Sequence, residues 1–433
     1  MPRSSGAWSR RLLAVLLAPV LLLGVPAAAH GHPAPRWTGT WGTAPTGAAT
    51  PPLPQVVFAD QTLRQIVHTS IGGRSVRVRL SNEFGDRPLV VGAARVARRA
   101  AGADLVPGTD RRLTFGGGSA VTVPPGAPVL SDPVDLAVPA DSDLAVSIYL
   151  PRPTPASTVH GSAFTSNYLV AGDATAAPRL EAPRVVTSWY FLTGVSVAGT
   201  PARGSVVAFG DSITDGAYTT VDANRRWPDV LARRLRAAGN PLGVLNEGIG
   251  GNRLRHDGNT LPGGPAAGIG PMFGPSALSR FDRDVLAQPG ARYVVVLLGI
   301  NDIGHPTSIS PPSEAVSVAD LVAGYRQLIA RAHARGLRAY GATMTPFADT
   351  TIPGYYTAAN EAKRQAVNRW IRTSGEWDAV IDFDRAVRDP ARPLRMLPAY
   401  DSGDHLHPND AGMAAMARAV PLRLFTSRGA RAA

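Results

Sequence analysis

Two hydrophobic periods divide this chain. Residues 75–82 alternate, with Val76, Val78 and Leu80 on one side and Arg77 and Arg79 on the other; Leu144, Val146, Ile148 and Leu150 alternate likewise. A period of two puts one face of a strand in a core and the other toward water. Turn clusters such as Gly116-Gly117-Gly118 and Pro124-Pro125-Gly126 separate such runs, and residues 36–198 carry no long helical period. Short strands with regular turns predict an all-β sandwich or jelly-roll domain there. Residues 199–204 read as a linker.

From Ser205 the pattern changes. Residues 205–209, 244–246, 293–298, 337–344 and 379–384 are short, continuous apolar runs, the signature of strands buried on both faces. Helical stripes lie between them. Trp227, Val230, Leu231, Leu235 and Ala238 form one, with Pro228 in its first turn and Gly239-Asn240-Pro241 at its end. Val318, Leu321, Val322, Tyr325, Leu328, Ile329 and Ala332 form another, ended by Gly336. Residues 204–426 are therefore predicted as α/β, a three-layer parallel sheet with helices on both faces.

Length and composition then narrow the class. The chain has 433 residues, 44% hydrophobic and 18% charged, which suits two globular domains. Arg3, Arg10 and Arg11 precede an apolar stretch over residues 12–25 and a small-residue site at Ala27-Ala28-Ala29. This predicts a signal peptide over residues 1–29 and a secreted, extracellular protein. A membrane anchor is the alternative, and Pro19 and Pro26 argue for cleavage instead. Arg10-Arg11 also fits a twin-arginine signal as well as the general route.

Cysteine is absent, which excludes a disulfide framework and a thiol nucleophile. The net charge of +12 is nearly all arginine, Lys363 being the single lysine. These arginines are scattered, so a nucleic-acid groove is not expected, and a solvated basic surface is the plain reading.

Four short blocks carry the chemistry. Gly210-Asp211-Ser212-Ile213-Thr214 follows the first parallel strand, Gly248-Ile249-Gly250-Gly251-Asn252 the second, and Gly299-Ile300-Asn301-Asp302 the third. Asp404-His405-Leu406-His407-Pro408 comes last. Open parallel sheets bind ligands at the carboxyl ends of their strands, so these loops converge on one rim. In order and spacing the blocks resemble the GDSL/SGNH serine hydrolases, over residues 204–426. The resemblance implies a serine esterase with Ser212 as nucleophile, His407 as base and Asp404 orienting the imidazole. It also implies an oxyanion hole from the Ser212 and Gly251 N–H groups and the Asn301 side chain, with Gly250 the alternative to its neighbour. His405 does not match the spacing and reads as a loop or substrate-side residue; Asp211, Asp215 and Asp302 read as turn and network residues.

No cofactor and no metal are expected with this triad. A metallophosphoesterase, echoed by Gly-Asp-x-x-x-Asp and His-x-His, is the rival enzyme class, but its Asp-x-His and Gly-Asn-His-Asp companions are missing. A non-catalytic glycan-binding protein is the third class. The β domain before a hydrolase resembles secreted carbohydrate esterases, so the expected substrate is a short-chain, acetyl-like ester, with an acylated polysaccharide as one candidate. A lipase or arylesterase is the alternative. No stable membrane insertion is expected after signal cleavage. Trp37, Trp41 and Trp189 serve either the core or, if exposed, a glycan surface. The Gly- and Pro-rich insertion over residues 253–275, with Leu254, Leu261, Met272 and Phe273, is expected to wall the acyl or leaving-group pocket together with Thr345-Pro346-Phe347.

Overall fold

The alternating runs form two antiparallel sheets. A computed structural model of the chain describes residues 36–426, and the predicted signal over residues 1–29 lies outside them. In order come β1 (Thr38–Gly42), β2 (Gln61–Thr69), β3 (Gly73–Ser81), β4 (Ala93–Arg98), β5 (Ser142–Leu150), β6 (Thr158–His160) and β7 (Leu192–Ala198). β7 lies between β1 and β3 in one sheet, and β5 between β2 and β4 in the other. Val76, Val78 and Leu80 of β3 share a core with Leu144, Val146, Ile148 and Leu150 of β5, all fully buried. The sheets therefore pack face to face as a sandwich. Each such side chain contributes about 1.5–3 kcal/mol from burial alone. Trp41 and Trp189 belong to this core, ring centroids 5.0 Å apart, so neither forms a glycan surface. Trp37 lies under the Arg77 guanidinium, 4.5 Å from its ring centre.

Beyond it lie β8 (Ser205–Gly210), α1 (Ser212–Asp215), α2 (Trp227–Ala237), β9 (Gly243–Gly248), β10 (Ala291–Leu297), α3 (Ile300–Gly304), α4 (Val318–Ala334), β11 (Arg338–Ala342), α5 (Ala358–Thr373), β12 (Ala379–Ile381) and α6 (Asp410–Ala419). The parallel sheet runs β9-β8-β10-β11-β12. Val207 and Phe209 face α4 and α5, while Val206 and Ala208 face α2 and α6. That alternation produces the three layers. Strand order reverses around β8, so the loops at its carboxyl end diverge and open a crevice.

Some boundaries differ from expectation. The run over residues 379–384 is a strand only to Ile381, because the Asp382 side chain accepts the Arg385 N–H and caps the short helix Phe383–Val387. The inner face of α5 sets Asn360, Glu361, Arg364 and Asn368, all buried and hydrogen-bonded, beside Val367 and Ile371, so it carries no continuous apolar stripe.

From Arg36 onward the sandwich and the α/β region pack as one unit. β9 is an edge strand of the parallel sheet, and β1 covers it. The Val244 N–H donates to Ser70 Oγ at 2.9 Å, and a Cβ on Gly243 would lie 2.0 Å from the Gly39 carbonyl oxygen. Only glycine permits that approach.

Candidate active site

β8 ends at Gly210, where the chain turns sharply. A Cβ there would lie 2.1 Å from Thr214 Oγ1 and 2.8 Å from the Leu297 carbonyl oxygen. Asp211 caps α1, its carboxylate accepting the Ile213 N–H at 3.0 Å. Ser212 is thus the first residue of a helix whose leading N–H groups have no intrahelical partner.

The second and third loops close around that turn. The Ile249 N–H donates to the Gly210 carbonyl at 3.2 Å, tying the two strand ends together. Gly251 has φ +73°, and the Phe273 ring packs where its side chain would be. Asn301, at the start of α3, donates its side-chain N–H to the Asn252 carbonyl at 2.9 Å and accepts the Tyr355 hydroxyl at 2.7 Å. Those contacts fix the amide and leave its second N–H as a donor. Arg280, fully buried, donates to the carbonyls of Gly210 and Glu247 at 2.8 Å each and to Asn252 Oδ1 at 3.0 Å. One guanidinium so braces both strand ends and the glycine loop, with Asp284 at 3.1 Å.

The fourth block brings the imidazole. His407 Nε2 is 2.8 Å from Ser212 Oγ, and its Nδ1 is 2.5 Å from Asp404 Oδ2. Asp404 Oδ1 accepts the Leu406 and His407 N–H groups and the Ser402 hydroxyl at 2.8–3.0 Å. Burial raises the Asp404 pKa, but the His407 contacts and these donors outweigh it and hold the carboxyl well below the usual range. A carboxylate at Nδ1 selects the tautomer whose Nε2 accepts a proton. The exposed Tyr218 ring lies 5.3 Å from the His407 ring.

The structure thus brings Ser212, His407 and Asp404 into one line, with Gly251 on the loop after β9 and Asn301 at the start of α3. His405 points elsewhere, its Nδ1 2.6 Å from Asp401 Oδ2. Asp302 accepts the Leu254 and Arg255 N–H groups at 2.7 and 3.0 Å, so it anchors the start of the insertion. Phe273 brings that insertion against Gly251, with His305 at 5.3 Å and Tyr355 beyond it at 5.9 Å, and Phe347 packs on Tyr355. Sequence reasoning missed Arg280 and Tyr355. The only local sign of Arg280 is Asp284 four residues on.

The family described as GDSL-like lipase/acylhydrolase matches residues 208–415. A comparison with curated proteins found no match. Among solved structures, the native aryl esterase of M. smegmatis is 17% identical and covers 50% of this chain and 95% of its own, TM-score 0.38. A GDSL-like lipase from Bacteroides thetaiotaomicron is 18% identical over 50% of this chain and 85% of its own, TM-score 0.33. A mutant acetyl-xylooligosaccharide esterase from Geobacillus is 19% identical over 54% and 98%, TM-score 0.37.

Proposed function

We propose that this chain, a carboxylic ester hydrolase whose residues 208–415 match the GDSL-like lipase/acylhydrolase family, cleaves short-chain, acetyl-like esters through a Ser212 acyl-enzyme. The observation that carries this reading is the hydrogen-bonded line Ser212–His407–Asp404. Ser212 Oγ attacks the ester carbonyl carbon while His407 Nε2 takes its proton. The carbonyl oxygen becomes an oxyanion, received by the Ser212 and Gly251 N–H groups and the free Asn301 N–H; each such donor is worth about 3–4 kcal/mol in the transition state. The ester bond breaks, His407 protonates the leaving alcohol, and water repeats the cycle on the acyl-enzyme. Asp404 keeps the imidazole in register throughout.

The acyl wall supports a small group. Phe273 packs on Gly251 with the His305 and Tyr355 rings behind it, which supports a short acyl side. Each buried methylene gains about 0.8 kcal/mol where a groove receives it. The leaving group is read as a carbohydrate on the resemblance of a β domain before a hydrolase, and Tyr218 offers a ring face at the mouth. The N-terminal basic and apolar segments support export.

Purified wild type is expected to show kcat/KM falling along nitrophenyl acetate, butyrate and octanoate, with activity on acetyl-xylan, while Ser212→Ala loses at least 10³-fold. A rising series with phospholipid cleavage would transfer the assignment to a lipase. An active Ser212→Ala would end the serine reading.

A further inference from the structure

His160, on β6 in a small three-stranded sheet of the all-β region, is buried and takes no part in the steps above. Its Nε2 lies 3.0 Å from Asp215 Oδ1 and its Nδ1 3.0 Å from the Ala44 carbonyl oxygen. Both partners can only accept, so the doubly protonated ring alone donates to both. Burial opposes that charge, and the Asp215 carboxylate outweighs it, raising the imidazole above its ordinary pKa.

Asp215 stands three residues after Ser212 on α1, and its N–H donates to the Asp211 carbonyl at 2.9 Å. Its own carbonyl accepts Arg226 Nε at 2.9 Å, and the same guanidinium donates to the Ala163 carbonyl of the sandwich. Gly248, at the end of β9, packs on it so closely that a Cβ would lie 2.3 Å from the Asp215 nitrogen. Asp215 therefore links the serine turn, the strand that delivers the glycine loop, and the sandwich.

We propose that His160 is a positioning residue for ester hydrolysis, and that the all-β region completes the active site through the His160–Asp215 ion pair. This rests on the Ser212 reading. A four-residue helix is too short to hold its own orientation. A displacement of about 1 Å at the reacting atom costs on the order of 10² in rate. No group facing the substrate is removed when the pair is broken, so the loss falls on kcat and leaves KM nearly unchanged.

The test compares wild type, His160→Gln, Asp215→Asn and the double variant on nitrophenyl acetate, with active sites counted by stoichiometric fluorophosphonate labelling. Both single variants are expected to lose at least tenfold in kcat per labelled site, with KM within about threefold. The double variant should be no slower than the slower single. Wild-type kcat per labelled site in both singles overturns the inference, whatever the yields, because counting corrects for misfolded protein. Losses that multiply in the double variant overturn the pairing. Should His160→Gln fail to fold, the nearly isosteric Asp215→Asn carries the same expectation. A Ser212→Ala control that still labels and turns over defeats the nucleophile reading instead, so the two failures are distinct.

Discussion

Asp211 directly precedes Ser212, with its carboxylate out of reach of water. Burial pushes its pKa up to about 7, and the neighbouring Asp302 adds to the rise while the Ile213 N–H opposes it. The unfolded chain releases this proton near pH 4, so between about 4 and 7 the folded state binds more protons. Stability should therefore fall as pH rises through that window, and this contribution is gone above the folded pKa. Asp211→Asn removes the effect. Unfolding free energies of the two proteins, followed from pH 4.5 to 7.5, should shift in the variant's favour by on the order of a few kcal/mol as pH rises. A constant offset between the curves would show instead that Asp211 titrates normally. At this scale Ser212, His407 and Asp404 were legible because each lies inside a contiguous block. Arg280, Tyr355 and His160 were not, since their partners Gly210, Asn301 and Asp215 lie 70, 54 and 55 residues away.

Between β9 and the insertion, two adjacent glycines compete for one role, and their backbones separate them. Gly251 is left-handed, φ +73°, with a Phe273 ring carbon 2.2 Å from its virtual Cβ. Gly250 has no positive φ, and a Cβ built on it would meet nothing nearer than Asp215 Oδ2 at 3.9 Å. Alanine at 251 costs roughly 1–2 kcal/mol in backbone strain and displaces the ring that walls the acyl side. Gly251→Ala should lower kcat/KM on nitrophenyl acetate by about 10²-fold, and Gly250→Ala by less than threefold. Both keep their N–H, so the difference reports loop geometry. The reverse ranking would move the oxyanion donor to Gly250. Elements themselves were legible where apolar runs are continuous, as in β8 and β10, or where a stripe is clean, as in α4. α5 hid its inner face behind buried polar residues, and β12 ended early because a cap competes with the strand.

Across the whole molecule, the arginine excess does more than coat a surface. Arg64, Arg253, Arg280 and Arg364 are among the largest fully buried side chains, each tied to carbonyls or carboxylates. The sequence could show the charge but not its burial, because each of the four also has a partner from another part of the chain. The same holds for the joint between the two regions. Alternation and apolar runs predicted a sandwich and a parallel sheet, yet nothing in either pattern shows that β1 lies over the edge strand β9. That contact matters because an uncovered edge strand offers unpaired N–H and C=O groups to other chains. Residues 204–426 expressed alone would lose the Ser70 hydroxyl that receives the Val244 N–H and the His160 ring that pairs with Asp215, and would leave β9 uncovered. The isolated α/β region should therefore aggregate or unfold without a cooperative transition, as read by light scattering and thermal melting beside the longer chain. A soluble monomer that melts cooperatively and keeps wild-type kcat would show that the sandwich is an accessory and the parallel sheet sufficient.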